Sequence, residues 1–212
     1  MKLRQILAAA AIGIAAVSFG QTDFDRQIAN QALLSMPAVK ADIKLSAEQA
    51  KKIDAARKTA ASALEKLRKA NPPASSQQLS AVGVTMRNEI FKALQPAQIT
   101  RLREISLQTT GPMGVMNSAV QAKLALSKEQ KGKLSNAMKS YTTKAMELAR
   151  PKDPKAKPTP EDQKKRQAAS EKLQQELAGA IREILTAPQL NQYRALLGKP
   201  VAGLKIASKV KL

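Results

Sequence analysis

The chain has 212 residues, with 36 Lys or Arg against 16 Asp or Glu, for a formal charge of +20. It contains no Cys, His or Trp, which removes disulfides, thiol nucleophiles, the imidazole base and the commonest transition-metal ligands from its chemistry. Ala, Leu, Lys, Gln and Glu dominate; these favour helices, and the positive field favours anionic partners.

In chain order, Lys2 and Arg4 precede an apolar run from Ile6 to Val17, and Ser18 and Gly20 place small residues before Gln21. That plan predicts a signal peptide over residues 1–20, cut after Gly20, and a mature chain that is periplasmic or otherwise exported. The run falls short of the roughly 20 apolar residues that a spanning helix needs. Beyond it, apolar residues recur at helical spacing and predict an all-α fold of eight or nine helices. Ile53, Ala56, Ala60, Leu64 and Leu67 form one stripe; Leu79, Val82, Met86, Ile90 and Leu94 form a second. Leu134, Met138, Tyr141, Ala145 and Leu148 form a third, and Leu173, Leu177, Ile181 and Ile184 a fourth. Breaks fall at Asn71-Pro72-Pro73, at Gly111-Pro112-Met113-Gly114 and between Pro151 and Pro160, where Pro and Gly interrupt helices. The tail, residues 201–212, alternates apolar and basic positions from Leu204 to Leu212.

The order of elements recurs. Ala38–Ile53 set over Ala119–Leu134 matches at eight of sixteen positions with a constant shift of 81 residues. Ile90, Leu94, Gln98 and Arg103 fall on Ile181, Leu185, Gln189 and Arg194 at a shift of 91. The loop between them lengthens from NPPASS to RPKDPKAKPTPED, which accounts for the difference in shift. The expected organisation is two tandem helical repeats, residues 21–112 and 113–200, each with antiparallel long helices and short capping helices.

Within this frame Leu-x-x-x-Gln is written four times: Leu45, Ser46 and Gln49; Leu94 and Gln98; Leu126, Ser127 and Gln130; Leu185, Thr186 and Gln189. A hydroxyl followed three residues later by Gln is the spacing of a capping box. The hydroxyl accepts the N3 amide hydrogen, and the Gln side chain reaches back to the N-cap amide. Gln95 replaces the hydroxyl in the second copy and predicts a half-formed box. Pro96 and Pro188 suit a first helical turn, which needs no internal amide donors.

These boxes, with the leader and the basic helical chain, resemble the Spy/CpxP family of envelope proteins, named for a Leu-Thr-x-x-Gln motif. The resemblance implies a curved, all-helical cradle, usually dimeric, that acts as an ATP-independent chaperone or a stress-response accessory protein. It covers nearly all of the expected mature chain. Four boxes stand where the family has two, so one chain is expected to hold two units, either as a monomer that replaces the family dimer or as a homodimer. Some relatives are metal sensors; the lack of His and Cys removes the ligands for that role.

No nucleophile elbow, P-loop or dinucleotide fingerprint is present, so no enzymatic activity, catalytic residue or cofactor is expected. Ser208 and Lys211 have S-x-x-K spacing, without partner motifs. Met113 and Met116 are read as core fillers where the repeats join, and not as a soft-metal site. Candidate residues for an anionic partner are Arg150, Lys152, Lys155 and Lys157 in the Pro-rich loop, with Lys164, Lys165 and Arg166 on the next helix. Nucleic acid is not expected, because the leader separates the chain from it and aromatic stacking platforms are lacking. Unfolded or acidic client proteins are the expected partners. The rival expectation is a basic envelope protein that recognises an anionic membrane or polysaccharide surface, or a sensor domain, without chaperone activity.

Overall fold

A computed structural model describes residues 19–150, 159–202 and 204. The predicted leader up to residue 18 and most of the basic tail lie outside the described residues. The fold is all-α, as the periodicity predicts. Its elements are α1 (Phe19–Ile28), α2 (Pro37–Asp42), α3 (Ala47–Arg68), α4 (Ser76–Ala93) and α5 (Pro96–Thr110). They are followed by α6 (Ser118–Lys123), α7 (Lys128–Ala149), α8 (Pro160–Ile184) and α9 (Ala187–Leu197). Short 3₁₀ turns at Gln31–Ser35 and Gly111–Met116 precede α2 and α6. The predicted cut after Gly20 falls in the first turn of α1. Among the described residues no helix is long and apolar enough to cross a membrane.

The helix starts follow the boxes. Ser46 Oγ accepts the Gln49 amide at 3.1 Å, and Gln49 Oε1 accepts the Ser46 amide at 3.1 Å. Ser127 with Gln130 opens α7 and Thr186 with Gln189 opens α9 in the same way. At α5 the Gln95 amide donates to Gln98 Oε1 at 2.9 Å. Two further boxes, Ser75 with Gln78 and Thr159 with Asp162, open α4 and α8; sequence reading did not single these out.

The turns that lead into α3 and α7 share one geometry. The Leu45 amide donates to the Lys40 carbonyl at 2.9 Å and the Lys44 amide to Ala41 at 3.1 Å. The Leu126 and Ala125 amides donate to Gln121 and Ala122 at 3.0 Å each. These are Schellman closures, which need a left-handed residue after the helix. Lys44 (φ 53°) and Ala125 (φ 50°) occupy that position, where glycine is the usual choice.

The long helices pair as two hairpins, α3 with α4 and α7 with α8. Each hairpin buries its base and leaves its outer end exposed. Ile53, Ile90 and Leu94 are buried at the base of the first, whereas Leu79, on the same predicted stripe, is 37% exposed and Val84 is 55% exposed. The first core cluster gathers Leu34, Val39, Ile53, Ile90, Ile99 and Leu102 among others; the second gathers Leu107, Val115, Val120, Leu134, Ile181 and Tyr193.

Helix α5 serves both clusters. Ile99, Leu102 and Ile105 face the first, and Leu107 faces the second. Its polar residues tie in both chain ends. Arg103, 5% exposed, donates from Nε to Asp25 Oδ1 at 2.9 Å and from Nη1 to the Leu196 carbonyl. Thr100 Oγ1 donates to the other oxygen of Asp25 at 2.5 Å. Arg101 grips Asp42 through Nε and Nη2 at 2.6 and 3.0 Å, and reaches the Lys199 carbonyl at 2.7 Å. Gln108 Nε2 donates to the carbonyls of Leu197 and Lys199 at 2.6 and 2.7 Å. Past α9, Val201 is buried in the first cluster and Leu204 packs against it. The start of the segment expected to be a basic tail is therefore core.

Tyr193 shows how tightly the second cluster closes. Its hydroxyl donates to the Gly111 carbonyl at 2.6 Å, and burial pushes its phenol well above the usual range. A Cβ at Gly114 would stand 2.3 Å from that hydroxyl, so Gly114 is required for the approach.

Candidate binding surface

The four motif glutamines do more than cap helices. Gln49 Nε2 donates to Gln98 Oε1 at 2.7 Å, and Gln98 Nε2 donates back to Gln49 Oε1 at 3.0 Å. Gln49 also donates to the Ala93 carbonyl and Gln98 to the Ile43 carbonyl, at 2.9 and 3.1 Å. In the second half Gln130 and Gln189 exchange bonds at 2.8 and 3.2 Å. They also reach the Ile184 and Leu124 carbonyls, at 2.9 and 3.2 Å. These four bonds of the first clasp recur in the second, at the shifts of 81 and 91 found in the sequence. The motif leucines fill the adjacent core: Leu94, Leu126 and Leu185 are buried, and Leu45 packs against the first cluster. The clasp fixes the base of each hairpin, so that two long helices project from it.

The two hairpins present different inner faces. Between α3 and α4 lies an open trough of about 670 Å³. Ala56, Ala60 and Ala63 line one side, and Val82, Met86 and Ala93 the other. At the matching places in α7 and α8 stand larger groups. Ala60 becomes Tyr141, Val82 becomes Leu173 and Ala93 becomes Ile184, while Ala56 is matched by Ala137. Ala63 and Thr85 become Lys144 and Glu176, which pair across the hairpin at 2.9 Å. Small side chains leave the first hairpin open, and bulk with an ion pair fills the second. Lys52 and Lys92 also line the trough and pair with Glu48 and Glu89 on their own helices, at 2.7 Å each. The Lys52 ammonium, hydrogen-bonded to Glu48, holds that carboxyl below the usual range.

Of the basic residues singled out in the sequence, Lys152, Lys155 and Lys157 lie outside the described residues. Arg150 is exposed at the C-cap of α7. Lys164 and Lys165 are exposed and Arg166 is half-buried near the start of α8. This group is not a bare cation cluster. Lys165 meets Glu161 at 2.8 Å, and Asp162, which caps the helix with Thr159, is held ionised by those hydrogen bonds and by Lys165 and Arg166. Met116 packs against the second cluster, whereas Met113 is 38% exposed. The trough was missed in the sequence because a run of alanines reads as helix propensity. Its signal was the contrast between the hairpins at matching positions.

Comparison with protein-family models, curated proteins and solved structures gives no match.

Proposed function

We propose that this chain is an ATP-independent chaperone or stress-response accessory protein of the periplasm, built as two units of the Spy/CpxP type, that holds unfolded or acidic client chains. The observation that carries the reading is the open apolar trough between α3 and α4, on a chain of net charge +20. An unfolded client offers short apolar segments among charges. Long-range attraction speeds its encounter with a basic surface, and the small residues of the trough then take apolar side chains at low affinity. Exposed Leu79, on the same stripe of α4 as Val82 and Met86 and nearer its outer end, extends the apolar surface beyond it. The two clasped bases support the two-unit organisation, because both carry the same bonds on the same motif residues.

The test is aggregation of a chemically denatured acidic protein, diluted with substoichiometric to equimolar amounts of the chain at low salt. Suppression is expected, and Ala60→Tyr with Ala93→Ile, which carry the groups of the second hairpin into the trough, should weaken it several-fold. No suppression by the native chain sinks the reading.

A further inference from the structure

The outer face of α7 is open where the corresponding face of α3 is closed. In the first half Arg57 Nη2 donates to the Gln31 carbonyl at 3.2 Å, and Nη1 stands 3.7 Å from Asp54 Oδ1. That arginine ties α3 to the 3₁₀ turn beside it. At the shift of 81, Arg57 becomes Met138 and Asp54 becomes Ser135. In their place lies a shallow cleft of about 550 Å³, lined by α7 together with Met116 and Gln121. Half-buried Met116 and Met138 give it an apolar floor, and exposed Lys131 and Lys139 stand at its edge. Lys131 takes the place of Ala50, so a charge was added here while a carboxylate was lost. Among the described residues neither lysine is ion-paired, whereas Lys133 on the same helix meets Glu129 at 2.7 Å. No carboxylate lines the cleft.

We propose that this cleft docks an extended acidic segment of a partner protein. Eight residues of helix separate the lysines by about 12 Å, a distance that three or four residues of extended chain span. Two carboxylates at that spacing meet the two ammonium groups, and an apolar side chain between them rests on Met116 and Met138, whose flexible thioethers adapt to varied shapes. The hydroxyls of Ser135 and Thr143 match the hydrogen-bonding groups of a peptide backbone. An acyl chain would leave those groups unpaired, which favours peptide over lipid. The proposal rests on the reading of acidic partners given above, but places them on a different element from the trough.

The experiment measures fluorescence anisotropy of a dye-labelled peptide, Asp-Glu-Leu-Phe-Asp-Glu, titrated with the full chain at low salt. Three variants are compared with the native chain: K131E/K139E, S135D/M138R (which installs the groups of the first half) and K58E/K66E, a control with the same change of charge on α3. Circular dichroism checks that each stays helical. At least tenfold weaker binding is expected for the first two, with the control within about threefold of native. Equal loss in K131E/K139E and the α3 control, or no loss in the charge-neutral S135D/M138R, would show attraction to net charge alone and overturn the site. Binding of anionic phosphatidylglycerol vesicles, lost in the two cleft variants, without peptide binding would also overturn it in favour of a lipid surface. Aggregation assays run on the same variants separate the two proposals. Suppression that persists in the cleft variants leaves the trough reading intact whatever the peptide shows.

Discussion

Gln130 performs three tasks with one amide: Oε1 accepts the Ser127 amide at 3.0 Å, Nε2 donates to the Ile184 carbonyl at 2.9 Å, and the same nitrogen donates to Gln189. At about 1 kcal/mol per net hydrogen bond, Gln130→Ala should cost about 2–3 kcal/mol. Ser127→Ala removes only the cap and should cost about 1 kcal/mol. A double-mutant cycle of Gln130→Ala with Gln189→Ala, read by urea denaturation, should give a coupling of at least 0.5 kcal/mol. Additive losses would show that each glutamine acts only within its own helix. The capping role was legible because a box is local, three residues from hydroxyl to Gln. The clasp was not, since Gln49 and Gln98 stand 49 residues apart and no local spacing names a partner so distant. What hinted at it was the writing of the motif twice in each half.

At the scale of elements, the boundaries of the long helices were legible because Pro, Gly and hydroxyl caps mark them. The inner faces were less so: periodicity put Leu79 and Ile90 on one stripe of α4, yet Ile90 is fully buried and Leu79 is 37% exposed. Burial depends on what stands opposite, and opposite α3 and α4 offer mostly small residues to each other. Two sites also run against local preference. Ala125 takes φ 50° in the turn into α7, where a Cβ is strained, whereas Gly132 lies inside α7 with nothing within 4 Å of an added Cβ. Ala125→Gly should stabilise by about 0.5–1 kcal/mol, by relieving left-handed strain at some cost in unfolded-chain entropy. Gly132→Ala should stabilise by a similar amount through helix propensity. Both are read as shifts of the urea midpoint, and destabilisation by Ala125→Gly would mean that the turn is not strained.

Over the whole molecule, the duplication read from sequence does not make two independent cores. Ala29 of the first half lies in the first cluster while Ile28, its neighbour, and Phe24, a turn earlier, pack on the second; Val201, past the end of the second half, is buried in the first. The buried Arg103–Asp25 pair, with its bond to the Leu196 carbonyl, joins α1, α5 and α9 at the crossing point. The position that matches Arg103 is Arg194, which is exposed and donates to Asn191 at 3.3 Å, so matching positions of the two halves take different roles. Removing one partner of a buried pair strands the other, and Arg103→Met should cost about 3–5 kcal/mol. Because α5 belongs to both clusters, that loss should fall on both together. Native-state hydrogen exchange tests this: the slowest amides near Ile53 and near Ile181 should exchange with the same free energy, and that value should drop equally in Arg103→Met. Separate values, or a drop confined to one cluster, would show instead that each hairpin with its clasp unfolds alone. The shared helix would then be a linker, and the open trough and the filled hairpin would be free to move independently.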